Sequence, residues 1–188
     1  MADGFPNQLA GLGHNNGPAM DVGVSYRKHV WRRARKDLLP VLPLPVVRQR
    51  VRRAAEIGLD YTTYATVRAT TGRDVVALLF SSNALRLFQE HKVLDADRRA
   101  KLEAMQRCDR RAILVAPLRV GDIDDPVFEG IYPAPHIHAS WPEAAQSIAA
   151  AHSGQRAASV VLIGDTSVER DWSMAGRLAG YVPADRFF

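Results

Sequence analysis

Apolar and polar residues follow two periods along this chain, one helical and one of short continuous runs. Over residues 25–39, Tyr26, Val30, Trp31, Ala34 and Leu38 fall within one arc of a 3.6-residue helix, while Lys28, Arg32, Arg33, Arg35 and Lys36 occupy the opposite side. This predicts a helix capped by Ser25 and stopped by Pro40. Pro40, Pro43 and Pro45 enforce an extended turn, after which 46–57 reads as a second helix carrying Arg48, Arg50, Arg52 and Arg53, closed by Gly58. Residues 60–71 mix β-favouring threonines and tyrosines with a helical cap at Asp60, and helix is the preferred reading, ending at Gly72.

The second half of the chain changes character. Three short apolar runs, 75–80, 112–116 and 159–163, have the length of buried strands. Between and after them lie expected helices over 83–91, capped by Ser81 or Ser82, and over 96–107, 141–152 and 167–178. Residues 117–142 are rich in Pro, Gly and Asp and read mostly as surface loop. Strands alternating with helices predict an α/β fold, a small, mostly parallel three-layer sheet preceded by a basic helical segment. The expected division is a flexible tail over 1–24, the basic helical segment over 25–72 and the α/β domain over 73–188.

Composition narrows the class. The 188 residues are 47% hydrophobic, which excludes a wholly disordered chain, and no uninterrupted apolar run approaches the length of a membrane span. The single cysteine, Cys108, has no internal partner for a disulfide, and the first residues lack a signal-peptide pattern, so a cytoplasmic location is expected. Charge is distributed unevenly. Residues 25–73 hold twelve Lys or Arg against Asp37, Glu56 and Asp60, a net +9, whereas the segments on either side are each −2. Such separation points to a polyanionic partner, DNA or RNA, gripped by Lys28, Arg32, Arg33, Arg35, Lys36, Arg48, Arg50, Arg52 and Arg53. An acidic protein partner or an anionic membrane surface are the other occupants such a face suits. Tyr26, Trp31, Tyr61 and Tyr64 are placed either to stack on bases or to fill the core. The helices over 46–57 and 60–71, with their short turn, also have a spacing that a helix-turn-helix permits.

Residues 163–172, Ile-Gly-Asp-Thr-Ser-Val-Glu-Arg-Asp-Trp, follow a strand and open a helix. Asp165 is therefore expected at the carboxyl edge of the sheet, where open α/β sheets bind ligands. Thr166 and Glu169 also have the spacing of a capping box, which explains the same residues structurally. The segment resembles the fourth motif of the haloacid dehalogenase superfamily, and Leu78-Leu79-Phe80-Ser81-Ser82-Asn83 resembles that family's second motif. The resemblance implies a Mg²⁺-dependent phosphate-handling enzyme using Ser81, Asn83, Asp165 and Glu169, with the two carboxylates on the metal. The chain departs from the family in having no Asp-x-Asp pair before Ser81.

Other constellations are sparse. His136-Ile137-His138 offers two imidazoles without a third ligand at recognisable spacing, and Cys108 lies among Arg107, Arg110 and Arg111. There is no Walker loop, no Gly-x-Gly-x-x-Gly and no Gly-x-Ser-x-Gly elbow, so neither a nucleotide cofactor nor a serine triad is expected. Through Gly13-His14-Asn15-Asn16-Gly17-Pro18, Thr71-Gly72-Arg73-Asp74-Val75 with Leu78 to Leu85, and Glu169-Arg170-Asp171-Trp172, the chain is similar to a group of alphaproteobacterial proteins, a resemblance that implies no activity. The sequence favours a nucleic-acid-binding protein, with a regulatory role as the associated expectation. The alternatives are the phosphate-handling enzyme and an adaptor that docks on an acidic partner.

Overall fold

Buried runs of β-branched and aliphatic residues need partners on both faces, and the chain supplies them with a parallel sheet between two helical layers. The computed structural model describes residues 42–188. The expected tail over 1–24 and the helix over 25–39, with Lys28, Arg32, Arg33, Arg35 and Lys36, lie outside the described residues. The elements are α1 (Leu44–Glu56), α2 (Tyr61–Thr71), β1 (Ala77–Ser81), α3 (Ala96–Ala104), β2 (Asp109–Leu114), β3 (Gly130–Pro133), α4 (Trp141–Ala151), β4 (Val160–Gly164), α5 (Ser167–Ala175), β5 (Gly180–Pro183) and α6 (Ala184–Phe187).

All five strands are parallel, in the order β3-β2-β1-β4-β5. The chain first builds outward from β1 to β3, then crosses back to lay β4 on the other side of β1. That reversal places a topological switch point between β1 and β4. Side chains alternate strictly across the sheet, as the two-residue period requires. Leu78, Phe80, Ala112, Leu114, Val161 and Ile163 face a core shared with Ile57, Tyr64, Val67, Leu102 and Phe187. Ala77, Leu79, Ile113, Val160 and Leu162 face a second core with Ala144, Ile148, Ala151, Trp172 and Ala175.

The expected α/β class and parallel sheet hold, with two additional strands. β3 lies inside the stretch 117–142 that reads as loop, and β5 follows the last expected strand; both are four-residue edge strands ending in proline. Short edge strands with partly exposed faces carry little apolar signal, and proline, which has no N–H to donate, is tolerated at the end of an edge strand where no ladder bond needs one. The expected helix over 83–91 is instead a tight turn, in which Leu85, Arg86 and Leu87 N–H groups donate to Ser81, Asn83 and Ser82 carbonyls. Arg86 adopts a left-handed φ of 57°, which stops helical propagation after one turn. The expected division at residue 72 is not a boundary of packing. α1 and α2 share a core with the sheet, and the compact unit runs over Leu44–Phe188.

Local signals act as expected around α2. The Asp60 carboxylate accepts from Thr63 N–H at 2.9 Å and from its hydroxyl at 2.5 Å. Gly72 closes the helix at φ 68°, donating its N–H to the Arg68 carbonyl. The Thr63 bonds hold the Asp60 carboxyl below its ordinary range, aided by Arg186. Asp60→Ala is expected to lower stability by about 1 kcal/mol at neutral pH, with Asp60→Ser keeping most of it. Because the folded-state pKa is depressed, this contribution is full above the unfolded aspartate value of about 4. It disappears as pH falls through the folded value, so denaturant titrations of wild type and Asp60→Ala should converge in acid.

Candidate functional site: an arginine-lined cleft and the strand-end cluster

Two places gather the polar residues singled out from the sequence, and they lie at opposite ends of the sheet. At the amino end, α1 presents Val46, Gln49, Arg53 and Glu56 at spacings of three, four and three, with Arg50 and Arg52 flanking that stripe. Together with Tyr64 and Arg68 of α2, Asp74 and Arg107, they line a cleft of about 520 Å³. Five arginines oppose two carboxylates there, an excess of three positive charges.

The interior of the cleft is a fixed network. Arg53 Nε donates to Asp74 at 3.1 Å, and its Nη groups donate to the carbonyls of Val75 at 3.0 Å, Arg107 at 2.9 Å and Gln106 at 3.2 Å. The Tyr64 hydroxyl donates to the other Asp74 oxygen at 2.7 Å. Burial, reinforced by that carboxylate, pushes the Tyr64 phenol up to about 12. Tyr64 is thus a core residue rather than a platform for stacking bases. At the rim, the Glu56 carboxylate pairs with Arg107, and that bond, with Arg107 and Arg53 charge behind it, lowers the Glu56 pKa.

The four arginines expected on this helix therefore separate. Arg53 is committed to the network, with only 15% of its side chain exposed. Arg48 is exposed outside the cleft, and Arg52 is exposed at its edge. Arg50 is half-buried in the wall, and its Nε is buried with no hydrogen-bond partner among the described residues. Sequence reasoning did not single out Arg68 or Arg107 as site residues. Arg68 was visible only as a lone arginine on a threonine-rich helix, and Arg107 is brought to α1 by the fold from 51 positions beyond Glu56.

At the carboxyl end, the switch point brings together Ser81, Asn83, Asp165 and Glu169. Glu169 is fully buried. One of its oxygens accepts from the N–H groups of Asp165 at 2.6 Å and Thr166 at 2.8 Å, and the other from Asn83 Nδ2 at 3.0 Å. Thr166 Oγ1 accepts in turn from Glu169 N–H, completing the capping box. Gly164 permits this approach, since a Cβ there would lie 2.9 Å from Glu169 Oε2. Ser81 and Ser82 are buried, and their hydroxyls accept from the Ala84 and Val115 N–H groups. Asp165 stays at the surface, 3.5 Å from Arg86. The helix N-terminus, which elsewhere receives a ligand anion, is here occupied by the protein's own carboxylate.

The remaining candidates are accounted for by local structure. His138 N–H donates to His136 Nδ1 at 3.2 Å, beside a recess of about 420 Å³ that includes Glu143 and Ser147. Glu143 is engaged by Ser140 in the cap of α4. Among the described residues, no group of three or more His, Cys, Asp or Glu side chains is arranged to hold a metal ion, and no helix is long and apolar enough to cross a membrane. Burial raises the Cys108 thiol to about 12, overriding the nearby Arg53 charge. No known protein family, curated protein or solved structure matches the chain.

Two outcomes test this account. Glu169→Gln keeps the shape but removes the charge that accepts from the Asp165 and Thr166 N–H groups at the start of α5, and is expected to cost about 2 kcal/mol in denaturant unfolding. Cys108 should resist alkylation by iodoacetamide in the folded protein under mildly alkaline conditions and react fully once the chain is unfolded.

Proposed function

We propose that this protein binds nucleic acid through the arginine-lined cleft at the amino end of the sheet. The observation that carries the reading is the cleft itself, a concavity in which Arg50, Arg52, Arg53, Arg68 and Arg107 outnumber Glu56 and Asp74. Guanidinium groups match phosphate oxygens in shape and charge and are weakly hydrated, so convergent arginines suit a phosphate-bearing partner. Arg53 supports the surface from beneath, and Arg50 and Arg52 make contacts. Lys28, Arg32, Arg33, Arg35 and Lys36, in the same basic quarter of the sequence, extend the positive charge available to a polyanion.

The strand-end cluster supports a phosphate-handling enzyme less well. The oxygens of Glu169 that would hold a cation already accept three hydrogen bonds from within the chain. The hydroxyls of Ser81 and Ser82 lie buried against backbone donors.

Fluorescence anisotropy with labelled duplex DNA, single-stranded DNA and RNA across a salt series tests the proposal. The logarithm of the affinity should fall linearly with the logarithm of salt concentration. The Arg50→Gln/Arg52→Gln variant should flatten that slope by roughly 1.5 to 2, as expected for two lost phosphate contacts. Unchanged affinity and slope in a folded variant overturns the assignment. Binding of polyglutamate in place of every nucleic acid would give the cleft to an acidic protein partner.

A further inference from the structure

Resting on the nucleic-acid reading, we infer that the interface continues from the cleft over the amino edge of the sheet, where Arg73, Arg156 and Arg177 contact phosphates of the same strand. Two of these arginines, Arg156 and Arg177, come from the part of the sequence whose net charge is negative. The fold brings them to the basic side. Arg73 lies on the segment that enters β1, Arg156 on the one that enters β4 and Arg177 on the one that enters β5, and these strands are neighbours in the sheet. The three segments are tied to each other: Val76 N–H donates to the Ser159 carbonyl at 2.9 Å, and Ala179 N–H donates to the Ala157 carbonyl at 3.1 Å. Neighbouring strands lie about 4.8 Å apart, so the row extends about 10 Å from β1 to β5. It joins the cleft at Asp74, which lines the cleft and follows Arg73 directly.

Charge separates these arginines from the others at this end of the sheet. Asp74, Asp109 and Glu129, the carboxylates at the entrances to β1, β2 and β3, are each engaged by an arginine, at 3.1 Å by Arg53, 3.3 Å by Arg111 and 2.7 Å by Arg110. The segments 152–159 and 176–179 contain no acidic residue. Arg73, Arg156 and Arg177 are exposed and make no side-chain ion pair or hydrogen bond among the described residues. Their backbones are nevertheless held. Arg73 N–H donates to Thr71 Oγ1 at 3.1 Å, the Arg156 carbonyl accepts from Ser159 N–H at 2.8 Å, and Arg177 N–H donates to the Met174 carbonyl at 3.0 Å. A fixed row of unpaired guanidinium groups matches a ligand with a charge at every step, as a phosphate backbone has. Arg73 and Arg177 also follow Gly72 and Gly176 at the ends of α2 and α5, where helix dipoles favour a cation. That role uses the charge alone and affects stability, not the salt dependence of binding.

The test is fluorescence anisotropy on the full chain with a labelled single strand of about 12 nucleotides, long enough to pass from the cleft to β5 at about 3.4 Å per nucleotide. Arg73→Gln/Arg156→Gln/Arg177→Gln should flatten the salt slope by roughly 2, three contacts at about 0.7 each. Lysine at the same three positions should keep the wild-type slope, because counterion release counts charges. In the wild-type protein, bound strand should shield the three arginines from phenylglyoxal, read by peptide mass spectrometry, and this arm alone decides if the glutamine variant does not fold. An unchanged slope in the folded glutamine variant, or no shielding, overturns the inference; the cleft reading stands if Arg50→Gln/Arg52→Gln still flattens the slope. If the edge variant flattens the slope and Arg50→Gln/Arg52→Gln does not, the edge contacts stand and the placement in the cleft falls. If the wild-type protein binds no nucleic acid, both fall.

Discussion

Arg53 holds the helical layer to the sheet. Its guanidinium donates to Asp74 and to the carbonyls of Val75, Gln106 and Arg107, the residues that lead into β1 and β2. These carbonyls lie just before the two strands, where backbone acceptors without a neighbour would otherwise have to find water. A planar cation with five donors in a fixed fork satisfies several of them at once, which a lysine ammonium on a flexible stem would not reproduce. The same residue sets the base of the cleft, so the positioning of α1, the start of two strands and the floor of the proposed site follow from one side chain.

The carboxyl end of the sheet uses the opposite charge for the same purpose. Glu169 brings a buried carboxylate to the N–H groups at the start of α5 and to Asn83 after β1, closing the switch point between β1 and β4. Helix N-termini favour negative charge, and a carboxylate from within the chain meets that demand without a ligand. The two ends of the sheet therefore differ in what they leave available. At the carboxyl end the buried polar groups satisfy each other, and the Arg86–Asp165 pair lies at the surface. At the amino end, positive charge exceeds negative charge around a concavity. That difference is why the proposed function is placed at the end of the sheet where ligands of open α/β folds are less often found.

Much of the architecture was legible along the chain. Apolar runs marked β1, β4 and the buried second half of β2, Ala112 to Leu114, because strand segments covered on both faces are mostly apolar, whereas the charged first half of β2, Asp109 to Arg111, gave no such signal. Asp60, Gly58 and Gly72 marked the ends of α1 and α2, since capping chemistry is local. β3 and β5 were not legible: four residues at a sheet edge acquire strand character from the neighbour they pair with, Arg111 to Leu114 for one and Val161 to Gly164 for the other. The turn after β1 escaped for a related reason. Ala84, Leu85 and Leu87 are all buried, so apolar content alone does not separate a helix from a packed turn there.

For the site, the sequence by itself determined that positive charge concentrates in one quarter of the chain and that Thr166 and Glu169 form a helix cap. Both are read from residues close together in the chain, because charge density and capping chemistry are local. Only the tertiary structure decided which arginines are free. Arg53 and Arg50 are three positions apart on one helix, yet one is consumed by carbonyls from segments twenty and fifty residues away and the other keeps an unpaired donor. Arg107 joins them through a loop that β2 fixes in place. Whether a charge is a strut or a ligand contact depends on which distant groups the fold brings within hydrogen-bond reach, and no local pattern encodes that distance.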